Sequence, residues 1–243
     1  MESEIQWKKV YLLGGVMTII GLIGILLDVA IGSITGGDLS ALPQTAVDRF
    51  MQFQENPLLG LYNLDLLNIT NQIILIPAYY ALFAAHRNVK FPYAGLALII
   101  FLVGSIIFIS TNTALPMFEL SKKYAVATTE SQKALYAAAG ESMLARGEHG
   151  SLGVFIGFVL PNIAGLIFSI VMLTGKIFNK ATSYLGIAGS SLLIVYLILV
   201  TFTEGESMAT ALAMPGGLMS IAWMILFAIK LIKLGNENAT QSH

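Results

Sequence analysis

The chain has 243 residues, 56% of them hydrophobic and 11% charged, with 13 basic against 14 acidic residues and a net charge of −1. So balanced a charge excludes nucleic acid as a partner recognised through a global field. The absence of cysteine excludes disulfides, thiolate metal sites, iron–sulfur clusters and cysteine nucleophiles. A mean hydropathy of +0.77 makes the lipid bilayer the expected partner, and a single all-α integral membrane domain over residues 1–243 the expected fold.

In chain order, Lys8 and Lys9 precede an apolar run from Val10 to Ile31. The run exceeds the roughly 7–15 residues of a secretory signal core and meets the roughly 20 needed to span hydrocarbon, so it is expected to be a retained anchor helix. Five further segments pass the same test: Leu58–Ala85, Tyr93–Phe118, Ser151–Gly175, Ser183–Phe202 and Ala211–Leu234. The sequence therefore predicts a bundle of six transmembrane helices, with Pro77, Pro161 and Pro215 read as kinks that neighbouring helices repair.

The connections set the expected orientation. His86 to Pro92 and Lys176 to Lys180 are tight basic turns, and cations suit the negative end of a helix dipole. Lys8, Lys9, Arg87, Lys90, Lys176, Lys180, Lys230 and Lys233 fall on one side; Arg49, Lys122, Lys123, Lys133 and Arg146 fall on the other. The positive-inside rule then expects both termini in the cytoplasm of a plasma-membrane protein. Two long outer connections, Gly32–Pro57 and Glu119–Gly150, are each expected to hold a short interfacial helix capping the bundle. The first is read as starting at Pro43, with Val47, Phe50, Met51 and Gln54 on one face. The second opens on the capping-box pattern Thr129-Glu130-Ser131-Gln132 and carries Leu135, Ala138, Ala139 and Met143.

Polar residues in the spans carry the functional reading. An Asp at a helix centre costs about 2.5–3.5 kcal/mol, so Asp65 should face protein or a wet cavity. At helical spacing Asp65, Asn68, Gln72 and Tyr79 share one stripe. Asp28 near the outer end of the first helix, Asn112 near that of the third, and Glu119, Glu148, His149, Glu204 and Glu206 on the rim complete an expected outward-facing acidic cavity. Its carboxylate and amide oxygens suit a small cation or polar solute; alternatively the same groups hydrogen-bond across helices and fix packing. No cofactor or metal motif is present: with only His86, His149 and His243, no His-based zinc or haem pairing can form. A His149–Ser151 dyad lacks the context of a nucleophile motif, so no catalytic residue is assigned. Gly153 and Gly157 form a small-xxx-small pattern suited to close packing within the bundle or to a homo-oligomer.

Leu61 to Asn68, the loop at Glu141-Ser142-Met143 and the stretch from Phe178 to Ile187 resemble a family of prokaryotic multi-pass proteins defined only as a domain of unknown function. The resemblance covers most of the chain and implies about six helices and a plasma-membrane location, without an activity. Binding or transport of a small cation or polar solute is the leading expectation. The alternatives are a non-transporting sensor, immunity or scaffold protein acting through its outer loops, and an intramembrane hydrolase.

Overall fold

The computed structural model describes residues 2–34, 43–147, 151–203 and 206–237, and its regular elements are all α-helices. They are α1 (Glu2–Ile34), α2 (Ala46–Glu55), α3 (Pro57–Tyr62), α4 (Leu66–His86), α5 (Phe91–Thr111), α6 (Ala114–Ala125), α7 (Glu130–Gly147), α8 (Leu152–Gly175), α9 (Lys180–Phe202) and α10 (Glu206–Asn236). Six of them, α1, α4, α5, α8, α9 and α10, are long and apolar enough to cross a membrane, as in a multi-pass membrane protein.

Each of the six packs antiparallel against the next, and α10 returns to α1 to close a ring. The register is set by glycines, where backbones approach too closely for any side chain. On α1, Gly14 meets Ala81, Gly21 meets Leu75 and Gly24 meets Asn71, so ascending α1 descends α4. On the other flank of α1, a methyl group at Gly15 would lie 2.6 Å from Ile232 Cγ1 of α10. Gly104 of α5 faces Pro161 of α8, and Gly189 of α9 faces Ser220 of α10. Such contacts suit lipid, where dispersion between closely approached backbones replaces the hydrophobic drive. Gly153 and Gly157 serve the same purpose within the chain: a methyl at Gly157 would lie 2.7 Å from Phe108 Cβ of α5. Pro77, Pro161 and Pro215 all lie inside continuous helices.

Two expected spans are shorter than their apolar runs. The span expected over 58–85 is divided, because Asn63, Leu64 and Asp65 turn the chain between α3 and α4, with Asp65 in the left-handed region at φ 63° and ψ 23°. Aspartate is among the few residues that adopt this conformation readily, and the turn removes its carboxylate from the helix interior. The span expected over 93–118 ends at Thr111. Asn112 there adopts an extended ψ of 141°, and its Oδ1 accepts from Ala114 N at 2.9 Å to start α6. The other expected spans lie within or flush with their helices, α9 starting three residues early because Asn179 Oδ1 accepts from Thr182 N at 2.7 Å.

Beyond one end of the ring, α2, α3, α6 and α7 pack around a second apolar core of Phe50, Phe53, Leu64, Met117 and Leu144. Each of the two long connections contains a helix whose buried face differs from the one read. Helix α2 starts from Thr45, whose Oγ1 accepts from Asp48 N at 3.1 Å, rather than from Pro43. It buries Ala46, Arg49, Phe50 and Phe53, leaving Met51 52% exposed, because its ring pair Phe50 and Phe53 packs on Tyr124 and Phe118. Helix α7 starts as read, with Thr129 Oγ1 accepting from Gln132 N and Gln132 Oε1 accepting from Thr128 N, both at 3.2 Å. Its buried face runs through Gly140, Leu144 and Gly147, and Leu135 points outward. Glu141 of α7 reaches across to accept from Ala46 N at 2.7 Å, so α7 helps cap the start of α2.

Gly157→Leu is expected to cost about 1–3 kcal/mol of stability, as overpacking does. Gly217→Leu, where an added carbon meets nothing within 4 Å, is expected to stay within about 0.5 kcal/mol. Denaturant unfolding of the detergent-solubilised chain checks the pair; equal losses would refute the packing role of Gly157.

Candidate functional site

The α1–α4 seam becomes polar toward the capped end. Gly24 of α1 faces Asn71 of α4, which is 5% exposed and whose Nδ2 has no hydrogen-bond partner among the described residues. One turn further along α1 comes Asp28; one turn back along α4 comes Asn68, so the antiparallel register sets these two side by side on the seam. Asn68 Nδ2 donates to Asp65 Oδ1 at 3.0 Å, and Tyr62 of α3 donates its hydroxyl to the Asp28 carbonyl at 3.0 Å. Asp28, Tyr62, Asp65 and Asn68 are all half-buried.

Tyr62 lies near both carboxylates. Its phenol is pushed up to about 12, first by burial and then by the negative charges of Asp28 and Asp65. The two carboxylates come from α1 and from the turn before α4.

The rest of the expected stripe is committed to packing. Gln72 Nε2 donates to Ser105 Oγ of α5 at 2.8 Å, and Ser105 passes the bond to the Phe101 carbonyl at 2.8 Å. Asn112 Nδ2 donates to the Leu64 carbonyl at 2.6 Å while its Oδ1 caps α6, which locks the α3–α4 turn to the end of α5. Tyr79 lies deep in the bundle, stacked on Phe101 with ring centroids 3.7 Å apart. Glu119 is exposed and pairs with Lys122 at 3.9 Å on the outer surface of α6. Glu148, His149 and Glu204 lie outside the described residues, as do the side-chain contacts of Glu206.

Among the described residues no three carboxylate or imidazole side chains converge to hold a metal. Ser151 is the cap of α8, with its Oγ donating to the Arg146 carbonyl at 3.1 Å and accepting from Val154 N. A different buried imidazole ends α4: His86 was expected in the connecting turn, yet it is fully buried against Phe178, with Nδ1 2.8 Å from the Leu82 carbonyl.

Sequence reasoning passed over Tyr62 and the pairing of Asn71 with Gly24. The glycine spacing 14, 21, 24 on α1 marks one helical face and would have pointed to the second of these. Comparison with protein-family models, curated proteins and solved structures finds no match for this chain.

If Tyr62 faces both carboxylates, Asp28→Asn should lower its titration from about 12 toward, but not to, the ordinary value of 10, since burial persists. The tyrosinate absorbance difference against Tyr62→Phe measures this, and an unmoved midpoint would refute the contact. Because the folded pKa is raised, the stability that neutral Tyr62 contributes is intact below pH 10 and lost as pH rises through about 12. For the packing stripe, a double-mutant cycle of Gln72→Leu and Ser105→Ala should give a coupling of about 0.6 kcal/mol, the average for such bonds in membranes.

Proposed function

We propose that the protein is a multi-pass protein of the cell membrane, both termini cytoplasmic, that binds and translocates a small cation or amine-bearing polar solute entering at the capped end of the α1–α4 seam. The observation that carries this reading is the placement of two half-buried carboxylates, Asp28 and Asp65, about Tyr62, which donates to the Asp28 main-chain carbonyl while Asp65 accepts from Asn68. Ionisable groups at membrane depth are costly and as a rule mark ligand or ion pathways. The donor of Asn71, buried one turn below without a partner among the described residues, supports a ligand that also offers an oxygen, or a water carried with it. The crowding of eight basic residues at the opposite end supports the orientation.

A second reading is favoured by the folded cap itself, which exposes Leu58 (79%), Val126 (77%) and Leu135 (66%). In that reading the cap contacts a partner protein and the chain is a sensor or scaffold.

Thermal unfolding of the wild type, Asp28→Asn and Asp65→Asn against amines, alkali cations and pH separates the two. A ligand at a hundred times its dissociation constant is expected to stabilise the wild type by about 2.7 kcal/mol and to lose most of that effect in both folded variants. An equal ligand shift in Asp65→Asn would sink the site; no shift in any protein, with earlier melting of the variants, would turn the search to cap partners.

A further inference from the structure

At the uncapped end, α4 and α5 splay around an apolar groove of about 420 Å³ lined by Phe83, Phe91, Pro92, Gly95, Leu96 and Ile99. It exists because Gly95 sets no side chain against the Phe83 ring: a carbon added there would lie 3.7 Å from Phe83 Cε2. The groove opens outward from the bundle, with Phe91 58%, Leu96 49% and Ile99 59% exposed, so in a bilayer its neighbours are acyl chains rather than water. Its volume falls in the range of ligand-binding clefts.

The mouth is cationic. Lys90 is the residue before α5, and no side chain caps the first turn of that helix, which also contains no acidic residue. The end of α8 lies beside it, since a carbon at Gly175 would lie 3.8 Å from Lys90 Cγ, and Lys176 follows. Arg87 is held one turn away, stacked 4.4 Å over the Trp7 ring and donating to the Ala84 carbonyl at 2.8 Å. The connections 86–92 and 175–183 together carry Arg87, Lys90, Lys176 and Lys180 and no carboxylate.

We infer that this groove is a binding site for one anionic phospholipid, its acyl chain lying against Gly95 between Phe83 and Ile99 and its phosphate over Lys90 and the open first turn of α5. Apolar length and positive charge meet at the boundary where a lipid presents both, and basic pockets between helices on the cytoplasmic side suit anionic headgroups. The site is separate from the carboxylate seam, and neither depends on the other.

Native mass spectrometry of the full chain in mild detergent, titrated with dioleoyl phosphatidylglycerol or dioleoyl phosphatidylcholine, tests it. The wild type should retain one phosphatidylglycerol in preference to phosphatidylcholine, and inorganic phosphate at millimolar level should not displace it. Lys90→Gln should reduce that preference about fivefold, as loss of one interfacial cation does. Gly95→Leu should abolish retention of either lipid, while Gly217→Leu, the same change on an open surface of α10, should leave it intact. Equal retention of both lipids by the wild type, displacement by phosphate, or full retention by a folded Gly95→Leu would each overturn the inference. Should Gly95→Leu fail to fold, Lys90→Gln decides: an unchanged preference overturns it.

Discussion

The approach of α1 to α4 through Gly14, Gly21 and Gly24 is the contact on which the rest of the molecule depends. Lipid tails are as apolar as leucine, so helices in a bilayer gain little from hiding side chains and much from bringing backbones together. With no side chain in the way, α1 lies against α4 along most of their shared length, and the register leaves little freedom. It fixes the depth of Asp28 relative to Asn68 and Asn71. The opposite flank of α1 uses Gly15 to receive α10, so one helix holds both the first and the last partner of the ring.

The polar groups sort into two kinds once that register is known. Gln72, Ser105 and Asn112 have their bonds satisfied by named partners on neighbouring helices, and their chemistry is spent on holding α4, α5 and α6 in place. Asp28 and Asp65 differ in being acidic and half-buried, and both lie near Tyr62. The backbone of Asp65 adds to the distinction: its left-handed turn lets α4 begin just beyond it, so the carboxylate stands at a helix start rather than inside a span. The positive end of the α4 dipole there offsets part of the cost of keeping a negative charge at that depth.

What was legible in the sequence was whatever depends on composition along one segment. Six apolar runs gave six helices, and the Thr129–Gln132 pattern gave the start of α7, because length and capping are local properties. The failures were of two kinds. Hydropathy does not register a backbone turn made by polar residues inside an apolar run, so the breaks at Asn63–Asp65 and at Asn112 were invisible. Nor does helical periodicity say which of two plausible faces meets a partner: α2 buries Arg49 and Phe53 rather than Met51, since the choice is made by Phe118 and Tyr124 on α6, some 70 residues away. Which helix each residue of the stripe would touch required the ring: Gln72 bonds to Ser105 of α5, whereas Asn68 bonds within its own segment to Asp65.

The two cores impose a timetable on biosynthesis. The cap draws every one of its helices from residues up to Gly147, so its aromatic centre can assemble while α8, α9 and α10 are still being made. The ring is different, because the flank of α1 that carries Gly15 has no partner until α10, the last helix of the chain, arrives. From emergence of the first helix to release of the last, that narrow glycine face stands open to lipid or to an insertion chaperone. A truncation before α10 would leave an intact cap on an unclosed ring, displaying to the cell's quality-control machinery the glycine face that α10 otherwise covers.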